Sequence, residues 1–160
     1  MPNAALKIDQ ALTFRAVLPE DVLLLHGMIY DLALHDNRAD LVNLDVNEFT
    51  QNLYREPRII EPFFIMLGDT VAGFFITYEI FWIYKGRRGM HLLGLYVKPE
   101  FRRRGCGEKA FQHIVEECKK RDMGQLVWHA DVSNDSGKNF YAKMGATVFE
   151  DYSYNFIKFK

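Results

Sequence analysis

The stretch from His91 to Phe111 reads HLLGLYVKPEFRRRGCGEKAF and holds the residue types that bind a phosphorylated ligand. Arg102, Arg103 and Arg104 supply cations, and Gly105 and Gly107 let a phosphate approach the backbone closely. A strand-like run, His91–Val97, precedes this loop and a helical pattern follows it. The first amide groups of a helix have no internal partner, and the helix dipole favours negative charge there. Strand, basic glycine loop and helix together suit an anion; the alternative is a solvated basic turn whose glycines serve backbone shape. The loop lacks the Gly-Lys-Ser/Thr ending of a triphosphate-binding P-loop. Gly105 to Ala110 fits the loose dinucleotide pattern G-x-G-x-x-A, and Asp131 ends the next strand candidate. In that motif the turn leaves the strand directly, whereas Lys98 to Arg104, with Pro99 among them, intervene here. The chain is also short for two such halves and a substrate domain.

The elements that must position this loop follow from hydrophobic spacing. Leu12–Val17 reads as a short strand. Pro19, with Glu20 and Asp21, opens a helix carried by Val22, Leu25, Ile29 and Leu32 and ending near His35–Asn37. Asp45 with Glu48 forms a capping box for a short helix to about Tyr54. Phe63–Leu67 and Val71–Phe81, separated by Gly68-Asp69, form a hairpin. Lys85–Gly89 is a second turn before the His91–Val97 strand. Phe111, Ile114, Val115 and Cys118 mark a helix stopped by Gly124. Gln125–Val132 is a strand, and Asn134 or Asp135 caps a helix to about Met144, stopped by Gly145. Val148–Phe149 and Tyr154–Phe159 form a closing antiparallel pair. The order describes a mixed α/β domain.

The 160 residues, 49% hydrophobic and 26% charged, suit one globular domain spanning 1–160. A net charge of −1 carries no electrostatic footprint for nucleic acid. No apolar run approaches the ~20 residues of a membrane span, and no signal peptide opens the chain, so a cytoplasmic setting is expected. No Cys/His cluster has zinc spacing, so no metal is expected. Cys106 and Cys118 lie on one loop and helix, about 18 Å apart over twelve helical residues, too far for a disulfide. Cys106 also sits near a helix N-terminus, a place where a thiol pKa falls.

Two motifs together resemble the GNAT superfamily of acetyl-CoA-dependent N-acetyltransferases. Arg102-Arg103-Arg104-Gly105-Cys106-Gly107 matches the superfamily's pyrophosphate loop, Gln/Arg-x-x-Gly-x-Gly/Ala. Asn134 and then Asn139-Phe140-Tyr141-Ala142-Lys143-Met144-Gly145-Ala146 match its second signature. Element order agrees from about Leu12 onward. Ala72-Gly73-Phe74 and the Trp-containing turn resemble the diamine (spermidine/spermine) acetyltransferase group. The resemblance implies the GNAT (acyl-CoA N-acyltransferase) fold, a mixed, mostly antiparallel sheet flanked by helices, and a homodimer. It implies acetyl transfer from acetyl-CoA to a primary amine of a small molecule, polyamine-like or amino-acid-type, by direct attack in a ternary complex. A protein or peptide amine, or a non-catalytic acetyl-CoA sensor of the same fold, are the alternatives.

Residue by residue, the resemblance places Leu95, Tyr96 and Val97 beside the pantetheine and acetyl group. Arg102, Arg103, Arg104, Gly105, Cys106, Gly107 and Glu108 then cradle the pyrophosphate. Asn134, Asp135 and Ser136 form the second cofactor-contacting stretch, and Lys143 reaches the phosphates. Tyr141 aligns with the family's general acid, which protonates the departing thiolate; the alternative is a core aromatic on an amphipathic helix. An alkylamine with a pKa near ~10.4 is neutral in about one molecule in a thousand at pH 7, a deficit of roughly 4–5 kcal/mol, so a base is needed. The polyamine enzymes carry an acidic pair where this chain has Leu93-Gly94. Glu79 is the leading replacement; His91, Asp131, His35 and Asp36 are others. His35 and Asp36 match a substrate-lining pair. Trp82, with Tyr78, Phe81 and Tyr84, offers a cation-binding surface, or equally a core or dimer contact.

Overall fold

The computed structural model describes residues 11–149, Asn155 and Ile157. Two compact units divide the chain, Met1–His129 and Ala130–Lys160. The first holds a five-stranded sheet in the order of the sequence: β1 (Leu12–Ala16), β2 (Glu61–Leu67), β3 (Thr70–Trp82), β4 (Arg87–Val97) and β5 (Leu126–Trp128). Neighbours are antiparallel except β4 and β5, which are parallel. A hairpin cannot join parallel strands, and the crossover between them is α3 (Cys106–Lys120).

Helices cover both faces. After β1, the Asp21 carboxylate accepts the Leu18 N–H at 3.0 Å and pairs with Arg15 at 2.6 Å, which turns the chain into α1 (Val22–His35). The Asp45 side chain accepts the Glu48 N–H at 2.8 Å and starts α2 (Val46–Tyr54). Val22, Leu25, Met28 and Leu53 of these helices pack on Phe64, Met66, Phe74, Ile76 and Tyr96 of the sheet. On the opposite face α3 buries Ala110, Phe111, Ile114 and Cys118. There the Cys118 Sγ lies 3.7 Å from the Met90 Sδ, and Phe111 meets Trp128 edge-on at 5.2 Å. Both cysteines are buried free thiols, as their separation requires.

Three segments differ from the expectations above. The turn before β4 is Ile83–Gly86, not Lys85–Gly89. Gly86 takes a positive φ of 61°, and the ladder already pairs Trp82 with Arg87. Ion pairs from Arg87 to Asp122 and from Arg88 to Glu79 hold these polar residues in the strand. β5 covers three residues rather than Gln125–Val132, because its pairing with β4 ends at Leu92 and Trp128. Ile76 sits opposite Gly94 but Thr77 opposite Leu92, so Leu93 is an extra, exposed residue in β4. Such a bulge bends its strand, and the parallel ladder stops beside it. Val148–Phe149 forms no strand. Its expected partner, Tyr154–Phe159, lies outside the described residues apart from Asn155 and Ile157.

The second unit contains α4 (Asp135–Lys143). The Asn134 side chain accepts the Gly137 N–H at 2.8 Å, the cap expected there, and Gly145 with a φ of 84° ends the helix.

Candidate functional site

Beyond Leu92, β4 runs on to Val97 with β3 on one side and, among the described residues, no strand on the other. Leu95, Tyr96 and Val97 therefore present backbone N–H and C=O groups along an open edge, the arrangement that pairs with an extended ligand. Gly73 holds the other side close: a Cβ there would meet the Tyr96 carbonyl oxygen at 2.1 Å. Tyr96 is buried, its ring tilted against Phe74, and burial pushes its phenol up from the usual value.

The chain leaves this edge through a tight turn at Pro99–Phe101. Arg102 folds back, its Nε donating to the Val97 carbonyl at 2.9 Å and its guanidinium lying 5.6 Å from the Tyr96 ring centre. Arg103 and Gly105 both take positive φ, 59° and 79°. These turns bring three exposed arginines to the start of α3, and Arg104 stacks over Phe101. The N-cap residue of α3 is Gly105, which has no side chain to cap the first turn, whereas Asp45 and Asn134 cap α2 and α4. The amides of Cys106, Gly107 and Glu108 thus open a helix with basic residues around it, a place suited to phosphate oxygens. The Cys106 side chain is not part of that surface. It is buried, and desolvation pushes its thiol up despite Arg104 and Lys109, so the low thiol pKa expected of a helix N-terminus is overturned.

α4 carries Asn134 at its cap, Asp135 and Ser136 in its first turn, and Tyr141 and Lys143 towards its end. Tyr141 is half-buried and meets Phe140 edge-on at 5.1 Å; Lys143 is exposed. Asp131 accepts the N–H and the hydroxyl of Ser133 at 2.8 and 2.7 Å, a turn-forming role.

Glu79 and Trp82 lie apart from the open edge. Glu79 is four residues beyond Phe75, the partner of Leu95, about 13 Å along the strand. Its carboxylate faces Arg88 at 3.4 Å and Arg121 at 3.8 Å, in a cluster that includes Glu61. Trp82 is three residues further still, with the Lys85 ammonium over its ring. His35 and Asp36 hydrogen-bond to each other at 3.1 Å on the exposed end of α1. His91 is different. It is buried, and its Nε2 lies 3.0 Å from the Nδ1 of His129, a residue to which the sequence motifs give no role. The sequence carries no signal for the pair, because it depends on the β4–β5 register, which sets His91 opposite Val127.

Residues 27–146 match the sequence profile described as the acetyltransferase (GNAT) family. The chain belongs to that family. Its GNAT relatives include L-ornithine N5-acetyltransferase of Arabidopsis thaliana, 26% identical over 54% of this chain and 38% of that protein. Thialysine N-epsilon-acetyltransferase of Caenorhabditis elegans is 23% identical over 70% of this chain and 68% of that protein. The chain thus spans little more than a third of the plant relative's length. Among solved structures, an integron cassette protein from the mobile metagenome of V. cholerae has the same fold. Its TM-score is 0.75, with 19% identity, over 92% of each chain. The GNAT fold expected from the two motifs is the fold observed. Among the described residues no helix is long and apolar enough to cross a membrane.

Proposed function

We propose that the chain is a single acetyl-CoA-dependent N-acetyltransferase domain that moves the acetyl group to a primary amine of a small molecule. The observation that carries this reading is the open β4 edge, which leads through the arginine loop into a helix start with Gly105 at its N-cap. Acetyl-CoA suits both parts: an extended arm for the edge and a pyrophosphate for the helix start. Leu95, Tyr96 and Val97 would hold the arm by backbone pairing, and an N–H there would polarise the thioester carbonyl. Arg102 to Glu108 would hold the pyrophosphate, with Asn134, Asp135, Ser136 and Lys143 as the second contact stretch. Bound acetyl-CoA supplies an activated acyl carbon; the chain orients it, and Tyr141 protonates the thiolate that leaves.

Within this reading the acceptor is an amino-acid-type side-chain amine. Leu93-Gly94 offers no carboxylate for a polyamine at the bulge, and the two named relatives act on ornithine and thialysine by their names. The exposed Phe81, Ile83 and Tyr84 at the β3–β4 turn offer apolar surface for a homodimer. The same loss of acidic residues favours a second reading, a non-catalytic acetyl-CoA-binding protein. Thiol release from acetyl-CoA across ornithine, lysine, thialysine, putrescine, spermidine, spermine and a short peptide separates the two. Turnover highest on the amino acids is expected. Turnover on polyamines alone would reverse the substrate class, and tight acetyl-CoA binding with no turnover would favour the sensor.

A further inference from the structure

One buried polar cluster sits where β4 and β5 part. His91 is 7% exposed, and its ring stacks on Tyr78 of β3 at 4.9 Å and 29°. Its Nε2 is within 3.0 Å of the Nδ1 of His129, and its Nδ1 is buried with no hydrogen-bond partner among the described residues. His129 directly follows Trp128, the last residue of the parallel ladder, and is exposed. His91 lies two residues before the extra residue Leu93. The pair therefore stands where the parallel ladder ends, about 10 Å along the strands from Leu95 and on the other face of the sheet from Glu79. An unmet buried polar atom is costly to keep and is usually explained by a ligand, a water or a catalytic role.

The geometry points to His91 and His129 as a two-ring relay that takes the proton from the acceptor ammonium group. This rests on the acetyl-transfer reading above. In the resting tautomer the His91 Nε2–H donates to the His129 Nδ1, and the His91 Nδ1 keeps a lone pair. The opposite tautomer would bury an N–H without an acceptor, the costlier arrangement. The ammonium N–H breaks and its proton joins the His91 Nδ1 through a short chain of waters. The His91 Nε2–H passes to the His129 Nδ1, and His129 releases its Nε2–H to solvent. One proton enters and one leaves, the amine keeps its electron pair for the acyl carbon, both rings end neutral, and the positive charge leaves with the proton.

The surroundings agree. Burial first, and then His129, holds the His91 imidazole below the usual histidine range, so it is neutral and able to accept a proton at neutral pH. From β3 the Tyr78 ring faces it. On the same face of the sheet α1 carries Asp31, whose charge acts on Tyr96. His113, Glu117 and Arg121 belong to the α3 side.

The test measures kcat, KM and acetyl-CoA affinity from pH 6 to 10 for wild type, His91→Gln and His129→Gln, with the best amine of the panel. Both variants are expected to lose about 10²-fold in kcat at pH 7 with unchanged acetyl-CoA affinity. Their rates should approach wild type at high pH, where the amine is already neutral. The double variant should be no worse than either single one, since the rings act as a unit. His129 is exposed, so its variant serves if His91→Gln does not fold. Nitrogen NMR of labelled histidines should show the His91 Nδ1 unprotonated; an Nδ1–H would overturn the relay. An active wild type with variants of equal rate and pH profile overturns the relay alone. A wild type that binds acetyl-CoA and acetylates no amine overturns the transfer reading and the relay with it.

Discussion

At the scale of single residues, the two ends of the proposed reaction make different demands. Expelling a thiolate needs an acid, and a half-buried phenol can supply one. Tyr141→Phe is expected to lower kcat by about 10²-fold or more while acetyl-CoA binding, followed by calorimetry, stays within twofold. Equal turnover would remove Tyr141 from the chemistry and leave it a packing aromatic beside Phe140. Tyr141, the proposed acid, is marked in the sequence by a continuous eight-residue signature. The proposed base is not, because it depends on residues brought together across 38 positions of sequence. Glu79 stood out as the carboxylate of an aromatic strand. In the structure Arg88 and Arg121 face it and it lies well along β3 from Leu95. Periodicity assigns a residue to a strand but not to a partner; that took the register between β4 and β5.

At the scale of elements, glycines decide how the strand edge and the loop are shaped, and two of them make separable predictions. Gly105 has φ 79° and open space where an alanine methyl would stand, so Gly105→Ala meets only backbone strain, about 1–2 kcal/mol. That strain falls on the loop, and acetyl-CoA affinity should drop about tenfold while the melting temperature falls by a few degrees. Gly73→Ala is a clash of the new methyl with the Tyr96 carbonyl, so β3 and β4 must separate. It should lower the melting temperature more than Gly105→Ala does, with overpacking costing about 1–3 kcal/mol or more. Should Gly105→Ala destabilise more and bind acetyl-CoA normally, the loop assignment would fail. The helices, their caps and the β2–β3 hairpin were readable because each follows from local chemistry: Asp45, Asn134, Gly68, Gly145. The start of β4 and the length of β5 were not. Arg87 and Arg88 look like turn residues until Asp122 and Glu79 neutralise them across the fold, and the Leu93 bulge leaves no mark in composition.

At the scale of the whole molecule, the same burial that keeps His91 neutral makes stability depend on pH. His91 and His113 both titrate below the ordinary histidine value of 6.5, each chiefly through desolvation. The folded chain therefore binds these protons less readily than the unfolded chain. Above about pH 6.5 both states leave the rings neutral and the stabilising contribution is complete. As the pH falls below 6.5 the unfolded chain is protonated first, and the contribution is lost until the pH passes the folded values. Asp21 and Glu117 are also depressed, by Arg15 and by Lys120, but their ordinary values of 3.8 and 4.5 place that loss at lower pH. The melting temperature is thus expected to fall in two stages, the first beginning near pH 6.5. His113→Phe would keep a ring against Phe14, now stacked at 4.3 Å, and remove one titrating group. In that variant the first stage should shrink and the second stay unchanged. Melts recorded from pH 8 to 3 decide it: a curve flat down to pH 4.5 would show that neither imidazole is desolvated as described. It would also remove the physical ground for a neutral proton acceptor where the parallel ladder ends.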